Sequence, residues 1–310
     1  METLRYILHQ WQSQGAALGS ASLHLFNGLV LVMVIFLPLE HFFALRSQKR
    51  VRRGFVRDLA YYFLNNLLPG FLLVVPTTLT VWALHRVVPS SLHHWVAGWP
   101  VLARCLAALV VAEVGFYWGH RWSHEIPLLW RFHSVHHAAE EMDWLVNTRA
   151  HPLDLVFTRA CGFVPLYVFG LAQPMGNQVD WAPLAVTLIT SLWGYFIHAN
   201  VHWRFGWLEY LVATPAFHHW HHTNDGPLVI NKNYAALLPW LDKLFGTLHL
   251  PRFSQPHTYG IDESMSQTLP GQLLHPFVSN SQQGEPHLPG PQALETAPAF
   301  HRVAPEEARQ

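Results

Sequence analysis

The amino-acid sequence predicts an all-α integral membrane protein with about four to five membrane helices and a helical cap. The chain has 310 residues, of which 51% are hydrophobic and 12% are charged, whereas a soluble domain usually carries about 25% charged residues. Five apolar stretches approach or reach the roughly 20 residues that a helix needs to cross a bilayer. Four clusters of histidines lie just beyond such stretches. Together these observations favour a helical bundle in a bilayer with a polar, histidine-rich end.

The apolar stretches lie near residues 22–45, 59–84, 101–119, 153–172 and 180–199. No short apolar segment with a small-residue cleavage site precedes the first stretch, so we interpret it as an anchor and not as a signal peptide. A short turn at 173–177 separates the last two stretches, which form either a full or a re-entrant hairpin.

Charge predicts the orientation of these spans. The loop after the first stretch holds six basic residues, namely Arg46, Lys49, Arg50, Arg52, Arg53 and Arg57. The positive-inside rule places this loop in the cytoplasm. The second span then leaves, the third returns, and the hairpin leaves and returns. All four histidine clusters and the C-terminus are therefore predicted to be cytoplasmic, in a multi-pass protein of a bacterial inner membrane or its equivalent. His85, His93 and His94 fall on the opposite face and are excluded as ligands.

The remaining composition divides the chain into three parts. We predict membrane helices over 1–100, a histidine-box domain over 101–260, and a disordered tail over 261–310 that is rich in Pro and Gln and is dispensable for metal binding. A formal net charge of zero argues against a nucleic-acid partner. Cys105 and Cys161 lie in apolar runs without a CxxC motif, which indicates packing and not a disulfide.

The histidine clusters provide ten candidate metal ligands. Within each cluster the spacing includes i, i+3 or i+4, so the rings share one face of a helix. Imidazole suits zinc, copper, iron and nickel, and ten imidazoles are too many for one mononuclear site. The pattern therefore indicates a multinuclear centre at a membrane surface. The ten residues are His120, His124, His133, His136, His137, His198, His202, His218, His221 and His222.

The residue types narrow the chemistry of this centre. An HExxH signature is absent from the sequence, which argues against a zinc protease. Thiolate ligands are also absent, which weakens the iron–sulfur and copper-storage alternatives. A nearly all-imidazole dinuclear site suits iron that activates dioxygen, although spacing alone does not distinguish iron from zinc.

Five motifs, taken in chain order, resemble a known family. They are Glu113-x-x-x-Tyr117-Trp118-x-His120-Arg121-x-x-His124; His133-Ser-Val-His136-His137 with the following Arg149-Ala-His151-Pro152-Leu-Asp154; His198-Ala-Asn200-Val-His202; Thr214-Pro215-x-x-His218-x-x-His221-His222; and Asn233-Tyr234 with 240–247. Over about 100–260 the chain resembles the fatty acid hydroxylase/sterol desaturase superfamily of membrane histidine-box di-iron oxygenases. The family usually has Asp where this chain has Glu113.

The resemblance implies two iron ions, dioxygen as co-substrate and a lipid-type substrate that enters from the bilayer. Zinc could replace iron in overexpressed protein. Hydroxylation of a fatty acyl, sterol or related lipid is the first choice, and desaturation at the same site is the alternative. No fused haem, flavin or iron–sulfur module can be recognised in the sequence, so a separate electron-donor protein is expected.

Three further residues are candidates for supporting the ligands, and one histidine is not. Glu113 lies two helical turns before His120 and is expected to support a ligand, unless it is solvated near the membrane interface. Asn200 lies between two candidate ligands and is expected to orient one of them, and His151 is a further support candidate. The family's box leaves the position of His219 free, which predicts a bystander.

Two other functional classes remain. A divalent-metal transporter would place its ligands near the bilayer midplane on broken helices, whereas the clusters here lie at the ends of apolar stretches. A purely structural metal-binding protein is the other alternative, and oxygen-dependent lipid oxidation would distinguish the enzyme from it.

Overall fold

The computed structural model describes residues 2–16, 18–172 and 181–278. Within them the chain is helical, and its only β-type pairings are the isolated bridges Ala44–Val201 and Thr223–Tyr259. The all-α prediction is confirmed. The α-helices are α1 (Glu2–Ala16), α2 (Leu18–Phe43), α3 (Phe55–Val87), α4 (Ser90–Ala97), α5 (Val101–Glu125), α6 (Pro127–His137), α7 (Pro152–Val168), α8 (Trp181–His198), α9 (Pro215–His221), α10 (Trp240–Leu244) and α11 (Leu269–Val278). Two 3-10 helices cover Trp144–Thr148 and Gly206–Tyr210.

Three of the described helices are long and apolar enough to cross a membrane. The candidate spans are Ser22–Phe43 in α2, Phe55–Leu84 in α3, and Val101–Glu125, which is the whole of α5. The sequence predicts two more, but α7 has 17 residues and the apolar part of α8, Leu184–His198, is also short. The predicted turn at 173–177 lies outside the described residues. The pair α7 and α8 therefore stays open as a full or a re-entrant hairpin.

The loop after α2, the end of α5 and the segment after α8 lie at one end of the bundle. The loop after α2 pairs with the segment after α8, because Leu45 N donates to the carbonyl of Asn200 (3.2 Å) and His202 N donates to that of Phe43 (3.0 Å). In the same loop, the Arg52 guanidinium binds the Asp143 carboxylate just before the first 3-10 helix. This end, which we call the cap end, is completed by α6, α9 and α10. At the other end of α7, His93 of α4 lies against Gly170.

Helices α5 and α7 are in close backbone contact. A Cβ atom added at Gly115 would collide with the carbonyl oxygen of Cys161, and one at Gly119 would lie 2.8 Å from the Cys161 Cβ. The two glycines are four residues apart, and this small-residue spacing lets membrane helices approach closely. The backbone of α7 thereby lies directly against α5, which carries the first histidine pair.

The C-terminal segment differs from the prediction of disorder over 261–310. Residues Leu269–Val278 form α11, which packs on α6 and α3. Gln272 and Pro276 are buried, and the ring of Phe277 lies 5.6 Å from that of Phe132. A composition averaged over fifty residues hides one short apolar helix that has a surface to pack against. Residues 279–310 lie outside the described part of the chain.

Candidate metal centre

Nine of the ten candidate ligands come together at the cap end in two groups. His120, His124, His133, His137 and His221 form the five-histidine group, and His136, His198, His218 and His222 form the four-histidine group. In each group the possible ligand nitrogens all lie within 4.8 Å of one another, and all nine side chains are buried. Each group is therefore arranged as a site for one metal ion.

The two groups adjoin because two short helices contribute to both of them. On α6, His133 and His137 are four residues apart and belong to the five-histidine group, while His136 belongs to the other. The end of α9 and its C-cap residue His222 repeat the arrangement in the opposite sense: His221 belongs to the five-histidine group, and His218 and His222 belong to the four-histidine group. Residues four apart share a helix face, so each helix lies between the two groups.

The nitrogen positions in the four-histidine group fit a shared metal ion. Nε2 of His198 lies 3.3 Å from Nε2 of His136 and 3.0 Å from Nε2 of His218, and Nε2 of His222 lies 3.2 Å from both His198 and His218. Imidazole nitrogens bound about 2.0–2.1 Å from one tetrahedral ion are roughly 3.3–3.4 Å apart. The donor set is entirely imidazole, which suits a late first-row transition metal.

The five-histidine group fits a metal by a second criterion. Nε2 of His124, His137 and His221 are buried and have no hydrogen-bond partner among the described residues. Nε2 atoms of His120 and His133 lie 3.1 Å apart. Leaving several polar nitrogens buried without a partner is costly. A metal ion bound by these lone pairs would remove that cost.

Hydrogen bonds to the opposite ring nitrogen fix the orientation of most of the candidate ligands. A carbonyl or carboxylate oxygen can only accept, so the Nδ1 atom facing it carries the proton and Nε2 keeps its lone pair for a metal. Six of the nine rings are held in this way. The pairs are His120 with Tyr234 O (2.6 Å), His124 with Asn231 Oδ1 (3.1 Å), His133 with Asp154 Oδ2 (3.0 Å), His136 with Arg149 O (2.8 Å), His198 with Gly194 O (2.7 Å) and His221 with Lys232 O (2.8 Å).

Asp154 contacts a candidate ligand, although the sequence did not single it out as a support residue. It lies in the first turn of α7, binds His133 through Oδ2 and accepts from Ser123 Oγ through Oδ1 at 3.3 Å. A carboxylate on the far side of a ligand imidazole raises the basicity of that ligand. The signal available in the sequence was an acidic residue at the start of an apolar helix, within the motif that follows the second cluster.

Burial keeps the ligand rings neutral. Desolvation, with a smaller contribution from neighbouring imidazoles, lowers the pKa of His136 to about 4. The same causes lower the pKa of His137, His218, His221 and His222 well below 6.5. Neutral imidazole is the form that binds a metal ion, so these rings are ready to act as ligands at neutral pH.

His202 lies apart from both groups, contrary to the expectation that it is a ligand. Its side chain is exposed, and its Nδ1 lies 2.8 Å from the carbonyl oxygen of Phe43. The physical reason is the end of α8 at His198. Because the following residues are not helical, the spacing of four does not return the ring to the face of His198.

The three support candidates named from the sequence form hydrogen bonds with backbone groups and not with a candidate ligand ring. Glu113 Oε1 accepts from Leu237 N (2.5 Å) and Leu238 N (3.2 Å). Asn200 exchanges hydrogen bonds with the backbone of Arg46. His151 Nδ1 accepts from Leu153 N at 3.1 Å and caps α7. These contacts fasten loops and helix ends around the two groups.

His219 is also outside both groups, where the spacing predicts it. Its Nε2 lies 3.2 Å from the carbonyl oxygen of Ala199, and its Nδ1 lies 2.9 Å from the hydroxyl of Tyr259. The ring therefore joins the last cluster to the segment after α8.

Fold and site together define a class: helical membrane proteins with two adjacent histidine groups, each suited to a metal ion, at one end of the bundle. Residues 105–247 match the family model described as fatty acid hydroxylase, and this segment contains all nine gathered histidines. Over this segment, which is somewhat less than half of the chain, the protein matches the fatty acid hydroxylase family, and the match confirms the resemblance seen in the sequence.

The names of the known relatives describe enzymes that oxidise lipids. The ornithine lipid hydroxylase OlsE of Rhizobium tropici is 35% identical over 189 residues, which are 60% of this chain and 54% of that protein. The alkylglycerol monooxygenase of Homo sapiens is 32% identical, with 46% of this chain and 29% of that protein covered. The Delta(7)-sterol-C5(6)-desaturase of Nicotiana tabacum is 29% identical, with 46% and 48% covered. The matches thus span about half of these relatives or less. No solved structure matches the chain.

Proposed function

We propose that this protein is a membrane-bound, dioxygen-dependent oxidoreductase that hydroxylates a lipid-type substrate: a fatty acyl, sterol or related lipid. The observation that carries the proposal is the pair of buried all-histidine groups at the end of apolar helices, within the segment that matches the fatty acid hydroxylase family. The names of two relatives favour hydroxylation. The sterol desaturase among the relatives keeps desaturation as the second candidate.

We assign the nine gathered histidines as ligands of two iron ions. Bound iron would supply the activation of dioxygen and the oxidation of an unactivated C–H bond, which side chains alone cannot perform. The chain holds the imidazoles by their Nδ1 hydrogen bonds, so that little rearrangement is needed on metal binding. Burial of all nine rings excludes bulk water from the centre.

The substrate is proposed to reach the site from the bilayer. An apolar groove of about 810 Å³ runs between α5 and α7, with Val111, Gly115 and Trp118 among its lining residues, so this face accommodates hydrocarbon. At 100° per residue these positions lie on the side of α5 opposite to His120 and His124. A lipid chain in the groove would contact α5, which carries two ligands, but it would not reach their rings. The lipid chain that reacts is therefore proposed to approach the histidine groups along a different face of α5.

The proposal places the histidine groups and the C-terminus in the cytoplasm, in a bacterial inner membrane or its equivalent. Lys49, Arg50 and Arg53 of the first loop are exposed, and exposed basic loops are retained on the cytoplasmic side. Arg52 and Arg57 are instead buried in ion pairs with Asp58. The electrons are proposed to come from a separate donor protein that docks on the cytoplasmic side.

The deciding experiment is an isotope-labelled lipid comparison. A null host would express the wild-type chain, the ligand variant His136→Ala or the matched control His202→Ala under ¹⁸O₂, and the lipids would be analysed by mass spectrometry. Wild type and H202A should yield a lipid that gains one ¹⁸O atom, and H136A should not. A product that loses two hydrogens without gaining oxygen would support desaturation. Equal lipid profiles in all three strains would contradict both proposals.

Metal content tests the assignment separately. Native-expressed protein should contain about two ions per chain with a shell made mainly of nitrogen, since the two groups offer five and four imidazoles and no sulfur. A ratio near one, or sulfur in the X-ray absorption spectrum, would contradict it. Two tightly held ions without any lipid oxidation would instead favour the structural metal-binding alternative.

A further inference from the structure

A single amide in a membrane helix fixes the backbone that orients one metal ligand. Asn65 of α3 donates through Nδ2 to the carbonyls of Thr148 and Ala150, each at 2.8 Å. These two peptides flank Arg149, whose carbonyl accepts the hydrogen bond from Nδ1 of His136 at 2.8 Å. The position of the His136 acceptor is therefore set from both sides by one side chain.

The rest of this segment is held at its beginning. Asp143 accepts from the backbone N–H groups of Leu145 and Val146, and its carboxylate receives two 2.7 Å bonds from Arg52. In the middle, Thr148 Oγ1 donates to the carbonyl of Asp58 at 2.9 Å. The end that carries the His136 acceptor receives its side-chain support from Asn65.

The chemistry of Asn65 matches this task. The side chain is 4% exposed and lies in an apolar span, where a buried amide is costly unless it is hydrogen-bonded. Its two N–H donors meet two backbone carbonyls to which no helical N–H group donates. An ionised aspartate of the same shape could donate to neither carbonyl, and a protonated one could donate to only one of them.

We propose that Asn65 is a positioning residue that keeps His136 in the orientation and tautomer needed by the four-histidine group. The inference rests on the proposed metal centre. Without Asn65 the Arg149 carbonyl would shift and the His136 ring could rotate or carry its proton on Nε2. Nε2 of His136 lies 3.3 Å from Nε2 of His198, so the four-histidine group would lose one ligand while the five-histidine group stayed complete.

The test compares Asn65→Asp with Asn66→Ala, a change at the neighbouring amide. Asn66 Nδ2 donates to the carbonyl of Tyr62 within the same helix, and Asn66 is exposed. Protein purified from a native-like host would be analysed for metal per chain and by ⁵⁷Fe Mössbauer spectroscopy, with His136→Ala as reference. The metal content of N65D should fall from about two ions per chain to about one, and its Mössbauer spectrum should match that of H136A. N66A should match wild type in both measurements.

The outcomes separate this proposal from that of the metal centre. N65D with two ions and the wild-type spectrum would overturn the role of Asn65. Loss of both ions together with a lower unfolding temperature would assign Asn65 to folding and would equally overturn it. Asn65→Gln, which keeps the donors on a longer side chain, should recover part of the second ion. Wild-type protein that binds no metal would contradict the proposed function itself.

Discussion

At the scale of single residues, the acceptors behind the imidazoles make the two groups unequal. Among the six rings with a partner at Nδ1, five face an uncharged oxygen, and His133 alone faces a carboxylate, that of Asp154. A negatively charged partner makes an imidazole a stronger donor to a metal than a carbonyl does. The five-histidine group, which contains His133, is therefore expected to bind its ion more tightly than the four-histidine group.

Replacing Asp154 by Asn tests this expectation. The change keeps the shape of the side chain and removes its charge, and loss of such a partner typically costs about 10–100-fold in metal affinity. In a chelator titration, we expect wild-type protein to lose its two ions in two phases. In D154N, one of these phases should move to a chelator concentration about 10–100-fold lower. His202→Ala, which removes an exposed histidine outside both groups, should leave both phases unchanged. An unaltered titration for D154N would show that the carboxylate does not tune the ligand.

The structure gathers nine of the ten histidines that sequence spacing predicts as ligands, and the one exception has a physical cause. Local spacing determines which residues share a helix face, so it succeeds for His133 and His137 on α6. It cannot show that α8 ends at His198, which removes His202 from the set. Asp154 and Asn65 reach the ligand network through contacts 21 and 83 residues apart in sequence. Such contacts depend on how the helices pack, which a pattern within one segment does not encode.

At the scale of helices, the close contact between α5 and α7 positions α5, which carries His120 and His124. Gly115 and Gly119 face Cys161 on α7 without space for a side chain, and α7 also presents Asp154 to His133. Sequence composition predicts both apolar helices but not that they are neighbours. Close packing through small residues replaces the hydrophobic effect, which is weak between helices inside lipid.

Gly115→Ala should destabilise the protein. Alanine has the higher helix propensity by about 1 kcal/mol, but its Cβ would collide with the Cys161 carbonyl, and overpacking typically costs about 1–3 kcal/mol. We expect a lower unfolding temperature in detergent or nanodiscs. Gly19→Ala, where the structure leaves open space around the new Cβ, is the matched control and should be neutral or slightly stabilising. A stability for G115A equal to that of G19A would show that α5 and α7 can move apart enough to accommodate the added methyl group.

Helix α11 should be needed for the metal centre, against the sequence-based expectation of a dispensable tail. The carbonyl of Leu273 lies 3.2 Å from Nε2 of His151, and the Gln267 side chain accepts from Arg57. Both contacts tie the segment to helices around the site. A chain that ends after Gly260 should therefore lose stability and bound metal, whereas one that ends after Val278 should retain both. Full metal content in the shorter chain would restore the original expectation.

At the scale of the whole molecule, the path of the chain explains why distant clusters share one site. The first loop, the start of α6 and the ends of α5 and α8 all lie at the cap end, joined by the Ala44–Val201 bridge and the Arg52–Asp143 ion pair. This holds whether α7 and α8 cross the bilayer or turn back inside it, because both begin or end at that face. Charge patterning predicts the same grouping from the number of crossings alone, and it adds the proposal that the shared face is cytoplasmic.

Cysteine labelling on intact cells would test that orientation. In a background with Cys105 and Cys161 replaced by Ala, single cysteines at Ser47 in the first loop, Phe253 at the cap end and Ser91 in α4 all occupy exposed positions. An impermeant thiol reagent should label Ser91→Cys at once, and the other two only after the membrane is opened, because exposed basic loops are costly to translocate. Labelling of positions 47 and 253 from outside, with 91 protected, would invert the topology but keep the cap end intact. Labelling of 47 and 253 from different sides would contradict the pairing of the first loop with the segment after α8, and with it the assembly of both histidine groups on one face.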